Sequence, residues 1–345
     1  MDTARFQPQL DAYLDGIDLD SVTNSVAEAM GSDLAAARNH VATHVGEVRV
    51  AMRLVGPAIH RDMRVLEVGS GVGLFAGYLR SINIDVTELE PVGLGFEFIG
   101  EARDALSSYT RPSAHLDIGV EQLDPALHGR FDLIFSLNVL EHVADWRLAL
   151  EACASVLGEN GQMIHAHPNY TIPYEPHFGV PLLPFRPGLT SFVLPDRMTN
   201  SDTWKSLNWI TARQVRRWCR STGLQVEFRS GVLAQTVDRV VTDQLFQQRH
   251  RGIARAGVVL VRRLRLVPLL ERLPATLNSP TEYVIRHQKP SAAPQTLRGV
   301  WRRARGSLVR VMPSRTILPL SGHVRRLHER GVHLDAAGMH AAVVT

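Results

Sequence analysis

Cysteine is scarce in this chain: among 345 residues there are two, Cys153 and Cys219. Two cysteines are too few for the disulfide framework of a small secreted protein, so a reducing cytoplasm is the expected setting. Long hydrophobic runs are lacking too, because the longest candidate, residues 256–261, is far shorter than the roughly 20 residues that span a bilayer. The N-terminal segment has no apolar core of a signal peptide. The sequence therefore predicts a cytoplasmic protein.

Metal-ligand spacing of a recognised kind is also missing from the sequence. His165 and His167 alternate near the end of a predicted strand and project to the same side. No cysteine or carboxylate stands near them at a zinc-site spacing. We therefore expect no metal ion.

Charge is distributed unevenly along the chain. The formal net charge is +4, from 38 lysines and arginines against 34 acids. Residues 245–272 hold seven arginines and one acid, and residues 290–345 hold nine arginines and two acids. The rest of the chain is acidic, so the two basic segments predict an anionic partner surface. Nucleic acid is disfavoured as that partner, because neither a regular interleaving of aromatic residues with the arginines nor an RNA-binding fold supports it.

Apolar strands and amphipathic helices alternate through the first two thirds of the chain. Strands are predicted at about 64–68, 83–89, 113–117, 131–137 and 161–167, and a sixth at 224–229. Helices are predicted at 21–45 and 46–59, with Ser21 and Asn24 as N-caps, and also at 74–81 and 145–157. Such alternation indicates a parallel sheet covered by helices.

The segment 65–73, VLEVGSGVG, consists of the end of a predicted strand with one acid, followed by a turn with three glycines at alternate positions. Glycine removes the Cβ atom where a backbone must pass close to a ligand. A dinucleotide fingerprint needs its third glycine one residue later, where this chain has Leu74. The carboxylate of Glu67 would also repel phosphates but attract a sulfonium and an ammonium group. The pattern favours S-adenosylmethionine over a nicotinamide cofactor, with an ordinary strand-to-helix turn and a hydride-transfer enzyme as alternatives.

With three further segments, this loop resembles the class I S-adenosylmethionine-dependent methyltransferases, particularly the small-molecule and lipid methyltransferases. The further segments are VTELEP, FDLIFSLNVLEHVAD and VLGENGQMIHAHPNY, and the resemblance covers roughly residues 60–170. It implies an α/β, doubly wound fold with a seven-stranded, mostly parallel sheet and helices on both faces. Segment 281–287 would be its antiparallel last strand.

The resemblance also implies which residues bind S-adenosylmethionine. The methionine end would lie against Glu67, Gly69, Gly71 and Gly73. Glu90 would accept hydrogen bonds from the ribose hydroxyls, and Asp117 would face the adenine amine. Asn138 follows the fourth strand and is also expected at the cofactor. It is not followed by the Pro-Pro-Tyr of amide methyltransferases, which disfavours that subclass.

The chain is expected to divide into five parts. A helical preface, 1–59, precedes a methyltransferase core, 60–231, that contains a proline-rich substrate loop, 168–200. A basic helical insertion, 232–279, is followed by the last core strand, 280–289, and a basic extension, 290–345. The insertion has apolar residues at helical spacing beside arginines, and Pro268 is expected to break its helix. It suits peripheral contact with an anionic membrane, or a helical hairpin whose arginines are solvated.

Candidate catalytic residues follow the fifth strand, at the sheet edge where ligands of such folds bind. His177 is the favoured general base and His167 the second candidate, while Tyr174 and Glu175 stand nearby; each could instead be a hydrogen-bonded loop residue. The Glu141-His142 pair would either border the methyl site or serve in helix-start capping and loop packing.

The sequence predicts methyl transfer, most favourably to oxygen, on a small metabolite, glycan or lipid. The alternative is a catalytically inactive binding protein at an anionic membrane surface. The sequence leaves the oligomeric state open.

Overall fold

The structure, a computed structural model, describes residues 7–31, 33–91, 97–107, 109–110, 114–242 and 253–288. The expected basic extension, 290–345, lies outside the described residues. Nine strands are assigned within the described part of the chain. They are β1 Arg64–Val68, β2 Asp85–Leu89, β3 Ala114–Leu116, β4 Phe131–Leu137, β5 Leu157–His167, β6 Tyr174–Glu175, β7 Val180–Pro181, β8 Leu224–Phe228 and β9 Thr281–His287.

Seven of these strands form one sheet in the order β3-β2-β1-β4-β5-β9-β8. The pairs β1–β2, β1–β4, β2–β3 and β4–β5 are parallel, whereas β9 runs antiparallel to both β5 and β8. The chain order reverses between β1 and β4, so the carboxyl ends of these two strands open a crevice where ligands of doubly wound sheets bind. The predicted seven-stranded, mostly parallel sheet is confirmed.

Helices cover both faces of the sheet. In chain order they are α1 Gln7–Asp15, α2 Leu19–Met30, α3 Leu34–Val55, α4 Leu74–Ser81, α5 Glu97–Leu106, α6 Pro125–His128, α7 Trp146–Ser155, α8 Asp196–Thr199, α9 Asp202–Ser206, α10 Ala212–Thr222, α11 Val232–Thr242, α12 Ile253–Arg263 and α13 Val267–Glu271. Successive strand residues point to opposite faces: Val65 packs in a core cluster with α1–α5, and Leu66 in a second cluster with α7 and α10. The sheet is therefore the middle of three layers.

The N-terminal helices begin at aspartates. The side chain of Asp18 accepts a hydrogen bond from the backbone N–H of Ser21, and the side chain of Asp33 accepts one from Ala36. The predicted caps Ser21 and Asn24 are therefore wrong, because aspartate three residues before Ser21 already starts the helix. The boundary predicted between residues 45 and 46 is also wrong, since α3 runs unbroken through it and packs on α4 in one core cluster.

Strand β5 is longer than predicted. It begins at Leu157 rather than residue 161, and helix α7 ends at Ser155. The register between β4 and β5 shifts between Phe131 and Leu133, where Gly158 lies against the Phe131 carbonyl. The first residues of β5 are rich in glycine and polar side chains and pair irregularly, so the apolar pattern of a strand does not extend over them.

The expected insertion contains α11, α12 and α13. Pro268 lies in the first turn of α13, where proline is tolerated, and the break between helices falls before it, with Arg265 at φ +55°. Among the described helices, none combines the length and the apolar character that crossing a membrane requires.

Candidate cofactor and acceptor site

The three alternate glycines all have positive φ, at +72°, +53° and +74° for Gly69, Gly71 and Gly73. A Cβ on Gly69 would overlap Cγ2 of Val139, and a Cβ on Gly73 would lie 2.8 Å from a carboxylate oxygen of Glu88. At Gly71 the nearest atoms are those of the His44 ring, 3.9 Å away. Packing within the protein therefore requires glycine at the first and third positions, whereas at the second a Cβ would make only an ordinary contact with His44.

Glu90 follows β2 and lies against this loop. Its Oε2 accepts a hydrogen bond of 2.7 Å from the backbone N–H of Gly71. Burial raises the pKa of Glu90, and this hydrogen bond opposes the rise. Glycine loop and carboxylate thus meet as predicted for a nucleoside site. Asp117 follows β3 and is exposed; its contact with adenine stays a prediction.

Glu67 lies at the centre of a buried charge cluster. In the parallel register it stands beside Glu88, whose two oxygens lie 2.6 Å from Arg80 and 2.5 Å from Arg103. Oε2 of Glu67 is buried and has no hydrogen-bond partner among the residues that the structure describes. Burial raises the pKa of Glu67 well above its usual value, and Glu88 raises it further. An unpaired, buried carboxylate oxygen suits a ligand that brings its own positive charge, as S-adenosylmethionine does.

Arg103 also holds the glycine loop in place. Its Nη2 donates to Ser70 Oγ at 2.8 Å and to the Gly71 carbonyl at 2.7 Å. The sequence prediction missed Arg103 and Glu88. The signal available was Glu88 itself, since an acid inside an otherwise apolar strand needs a cationic partner when buried.

A cavity of about 640 Å³ adjoins this edge of the sheet. Asn138, which follows β4 with φ +55°, lines it together with side chains of α3, α11 and α12 and of the loop after β5. Most lining residues are apolar, among them Val50, Ile172 and Val237. The volume and lining fit a small apolar molecule.

His177 lines this cavity and is held by Glu175. The Nδ1–H of His177 donates to Glu175 Oε1 at 2.6 Å, and the backbone N–H of Phe178 donates to the other oxygen at 2.8 Å. Glu175 is completely buried. Burial opposes protonation of the imidazole, but the hydrogen bond and charge of Glu175 more than offset it and raise the pKa of His177. An oriented imidazole of this kind can accept a proton from a hydroxyl group.

Glu141 and His142 lie beside His177. The rings of His142 and His177 are 5.1 Å apart between centroids, and His142 Nε2 is 4.0 Å from Glu141 Oε1. Burial raises the pKa of Glu141 to about 7 and lowers that of His142 to about 4. Helix capping, the predicted alternative for this pair, is wrong, because Asp145 caps α7.

His167 lies away from the cavity. It is fully buried in β5, where one nitrogen lies 2.7 Å from the Pro168 carbonyl and the other 3.1 Å from the Tyr283 hydroxyl. Burial lowers the pKa of His167 to about 4. Because both nitrogens have protein partners, this geometry favours the structural role over the catalytic one.

Comparison with known proteins shows which family this chain belongs to. Residues 46–227 match the family described as Methyltransferase domain. An uncharacterized protein of Mycobacterium tuberculosis H37Rv is 31% identical over 279 residues, 74% of this chain and 94% of that protein. A ubiquinone biosynthesis O-methyltransferase of Bradyrhizobium diazoefficiens is 31% identical over 107 residues, 30% of this chain and 38% of that protein.

Solved structures are similar at lower identity. The CcbJ methyltransferase from Streptomyces caelestis is 14% identical with a TM-score of 0.42, over 70% of this chain and 90% of that one. For phosphoethanolamine N-methyltransferase 2 of Haemonchus contortus the identity is 16% and the TM-score 0.41, over 70% of this chain, which spans 53% of that protein. By the family match over residues 46–227, the chain belongs to the class I S-adenosylmethionine-dependent methyltransferases, whose methyl donor is its cofactor.

Proposed function

We propose that this methyltransferase transfers its methyl group to an oxygen atom of an apolar small molecule that binds in the 640 Å³ cavity. The observation that carries the proposal is the position of His177, which lines the cavity while a buried carboxylate fixes its ring. Asn138 lines the same cavity, at the carboxyl end of β4. Acceptor and methyl donor would therefore meet at this edge of the sheet.

Methyl transfer to a hydroxyl needs alignment and removal of one proton. The oxygen lone pair forms the new O–CH3 bond while the S–CH3 bond breaks and its electron pair goes to sulfur, giving S-adenosylhomocysteine. In the proposed mechanism the hydroxyl proton passes to the unprotonated nitrogen of His177, and Glu175 stabilises the resulting imidazolium. The chain's other contribution is to hold the reactants in line and exclude water.

Among the acceptor classes predicted from the sequence, a lipid or other apolar metabolite fits the cavity better than a glycan. A glycan needs many polar partners, whereas the lining here is dominated by aliphatic side chains. The relative from Bradyrhizobium carries the name of an O-methyltransferase of ubiquinone biosynthesis, which agrees with an oxygen on an apolar molecule.

In the proposed cofactor arrangement, the loop around Gly71 approaches the methionine end and Glu90 accepts hydrogen bonds from the ribose. Glu67 compensates the positive charge of the donor from within the core. Asp117 and Asn138 complete the proposed set, at the adenine and at the boundary with the acceptor.

The test uses S-adenosylmethionine with a tritiated methyl group and a cell extract divided into organic and aqueous phases. We expect label in the organic phase, in a product that resists mild alkali as an ether does. His177→Ala should lower the rate at least 100-fold without changing cofactor affinity, whereas His60→Ala, an exposed histidine, should not. Label confined to amines, or full activity of His177→Ala, would refute the proposal.

Contact with an anionic membrane is the second proposal, and it is supported by the surface of α12 and the residues that follow it. Val259, Leu260, Leu264 and Leu269 are each more than half exposed. Exposed arginines stand among them, at positions 255, 262, 263 and 265. Val258 of the same helix lines the cavity, so an acceptor held in a lipid surface would have a short route to it.

A further inference from the structure

Three potential metal ligands come together at the wall of the acceptor cavity. Glu141 and His142 follow β4, and His177 follows β6. One carboxylate oxygen of Glu141 and one nitrogen of each histidine lie within 4.8 Å of one another. Because His177 comes 35 residues after His142, no short metal-binding spacing in the sequence predicts these three ligands.

The carboxylate of Glu141 is the unusual member of the group. Its side chain is fully buried, and neither oxygen accepts a hydrogen bond from another residue within the described part of the chain. A buried carboxylate without partners costs several kcal/mol as an anion, unless a cation binds it. The loop that holds it is well fixed, since Asn208 Nδ2 donates to the carbonyls of Leu140 and Val143 at 2.6 and 2.7 Å.

Both histidines are oriented by a second residue. Ser206 donates its hydroxyl hydrogen to the Thr203 carbonyl at 2.9 Å, so its oxygen accepts the Nδ1–H of His142 at 2.7 Å. Glu175 accepts the Nδ1–H of His177 in the same way. In each ring the lone pair then resides on Nε2. Metal-binding histidines are held by such contacts, with one nitrogen donating to a protein oxygen and the other on the metal.

We propose that Glu141, His142 and His177 bind a divalent transition-metal ion. Two imidazoles and one carboxylate are ligands that Zn²⁺ and its first-row neighbours accept, with positions left open for an acceptor oxygen. Ligand atoms at about 2.1 Å from a tetrahedral ion are about 3.4 Å apart, so the side chains need to close by little more than 1 Å. Two further acidic residues add negative charge to the site, because Glu175 is hydrogen-bonded to His177 and Glu47 lines the same cavity.

This inference rests on the proposed function for its purpose. A bound ion would hold the acceptor oxygen and lower the pKa of its hydroxyl group, whose proton would then pass to water. His177 would then be a ligand of the ion, and the acceptor oxygen would bind the ion rather than form a hydrogen bond with the imidazole. The two roles of His177 are alternatives that a metal titration separates.

The test is a titration of untagged, chelator-treated, full-length protein with Co²⁺, followed by its visible d–d absorption. We expect saturable binding of one ion per chain, displaced by Zn²⁺. Glu141→Gln and His142→Ala should each weaken binding at least 100-fold, and Ser206→Ala by about 10-fold because it only orients a ligand. His60→Ala is the matched control and should bind as the parent protein does.

Absence of saturable one-to-one binding, or unchanged binding in both Glu141→Gln and His142→Ala, would overturn the metal site. Circular dichroism reports whether each variant folds. If Glu141→Gln and His142→Ala do not fold, the titrations of the parent protein and of Ser206→Ala decide whether the metal site exists. Neither readout depends on methyl transfer. Metal binding without an O-methylated product would refute only the proposed function, and O-methylation by protein that shows no saturable metal binding would refute only the metal site. O-methylation by metal-free protein that does bind Co²⁺ one to one would refute the ion's role in the reaction and leave the site.

Discussion

Gly69→Ala tests why the first glycine of the loop must be glycine. At φ +72°, any L-residue costs about 1–2 kcal/mol. The added Cβ would also overlap Cγ2 of Val139 and lie 3.1 Å from its Cγ1. Relief of such a contact by an off-rotamer side chain or a backbone shift costs about 1–3 kcal/mol. We therefore expect Gly69→Ala to destabilise the fold by about 2–5 kcal/mol.

A matched control separates the backbone effect from the steric one. Gly223 has φ +70° at the end of α10, and a Cβ there would meet no atom of the described residues within 4 Å. Gly223→Ala should therefore cost only about 1–2 kcal/mol, for the backbone alone. Val139→Ala should relieve the overlap, so that the double variant with Gly69→Ala is less destabilised than the sum of the two single changes by about 1–2 kcal/mol.

The measurement is urea unfolding of the four variants and the parent protein, with cofactor affinity determined by calorimetry on each. We expect weaker S-adenosylmethionine binding in Gly69→Ala and none of that loss in Gly223→Ala. Equal destabilisation by the two glycine changes, or strictly additive effects of Gly69→Ala and Val139→Ala, would refute the steric argument.

Three other perturbations have defined outcomes. Glu90→Gln removes a charged acceptor, so S-adenosylmethionine should bind about 10–100-fold more weakly by calorimetry, while Tm should not fall because burial disfavours the charge. The pKa of His167 is lowered to about 4 in the folded protein, so the unfolded chain binds the proton first as the pH falls. His167 should by itself contribute up to about 3 kcal/mol to the loss of stability between pH 6.5 and pH 4, and His167→Gln should lose less than the parent protein while it keeps methyl transfer. Leu260→Glu should abolish co-sedimentation with anionic vesicles, and Leu127→Glu, at an exposed leucine of α6, should not; equal loss in both would contradict a specific lipid surface.

The sequence predicts the fold well where a short strand is built around a group of apolar residues. The bounds of β1, β4 and β9 agree with their predicted ranges, because each strand has such a group, at 65–66, 133–135 and 283–285. The start of β5 was missed since glycines and polar residues break its pattern there. The helix boundary within α3 was wrong because no residue near position 45 interrupts its buried face.

The cofactor loop is predictable because its parts are local. Glycines at alternate positions and a carboxylate after the next strand are close in sequence, and parallel pairing of β1 with β2 brings them together. The contacts of Arg103 and the meeting of Glu141 with His177 depend instead on how α5 and the loop after β5 pack. No spacing along the chain encodes those contacts.

Helix α3 contacts both halves of the site: His44 stands over Gly71, while Glu47 and Val50 line the acceptor cavity. Because α3 is one continuous helix, it cannot move away from the glycine loop and keep its contacts with the cavity unchanged. In the proposed arrangement, one displacement of α3 would open both the donor site and the acceptor cavity, so a substitution at either end of the helix should alter the kinetics of both.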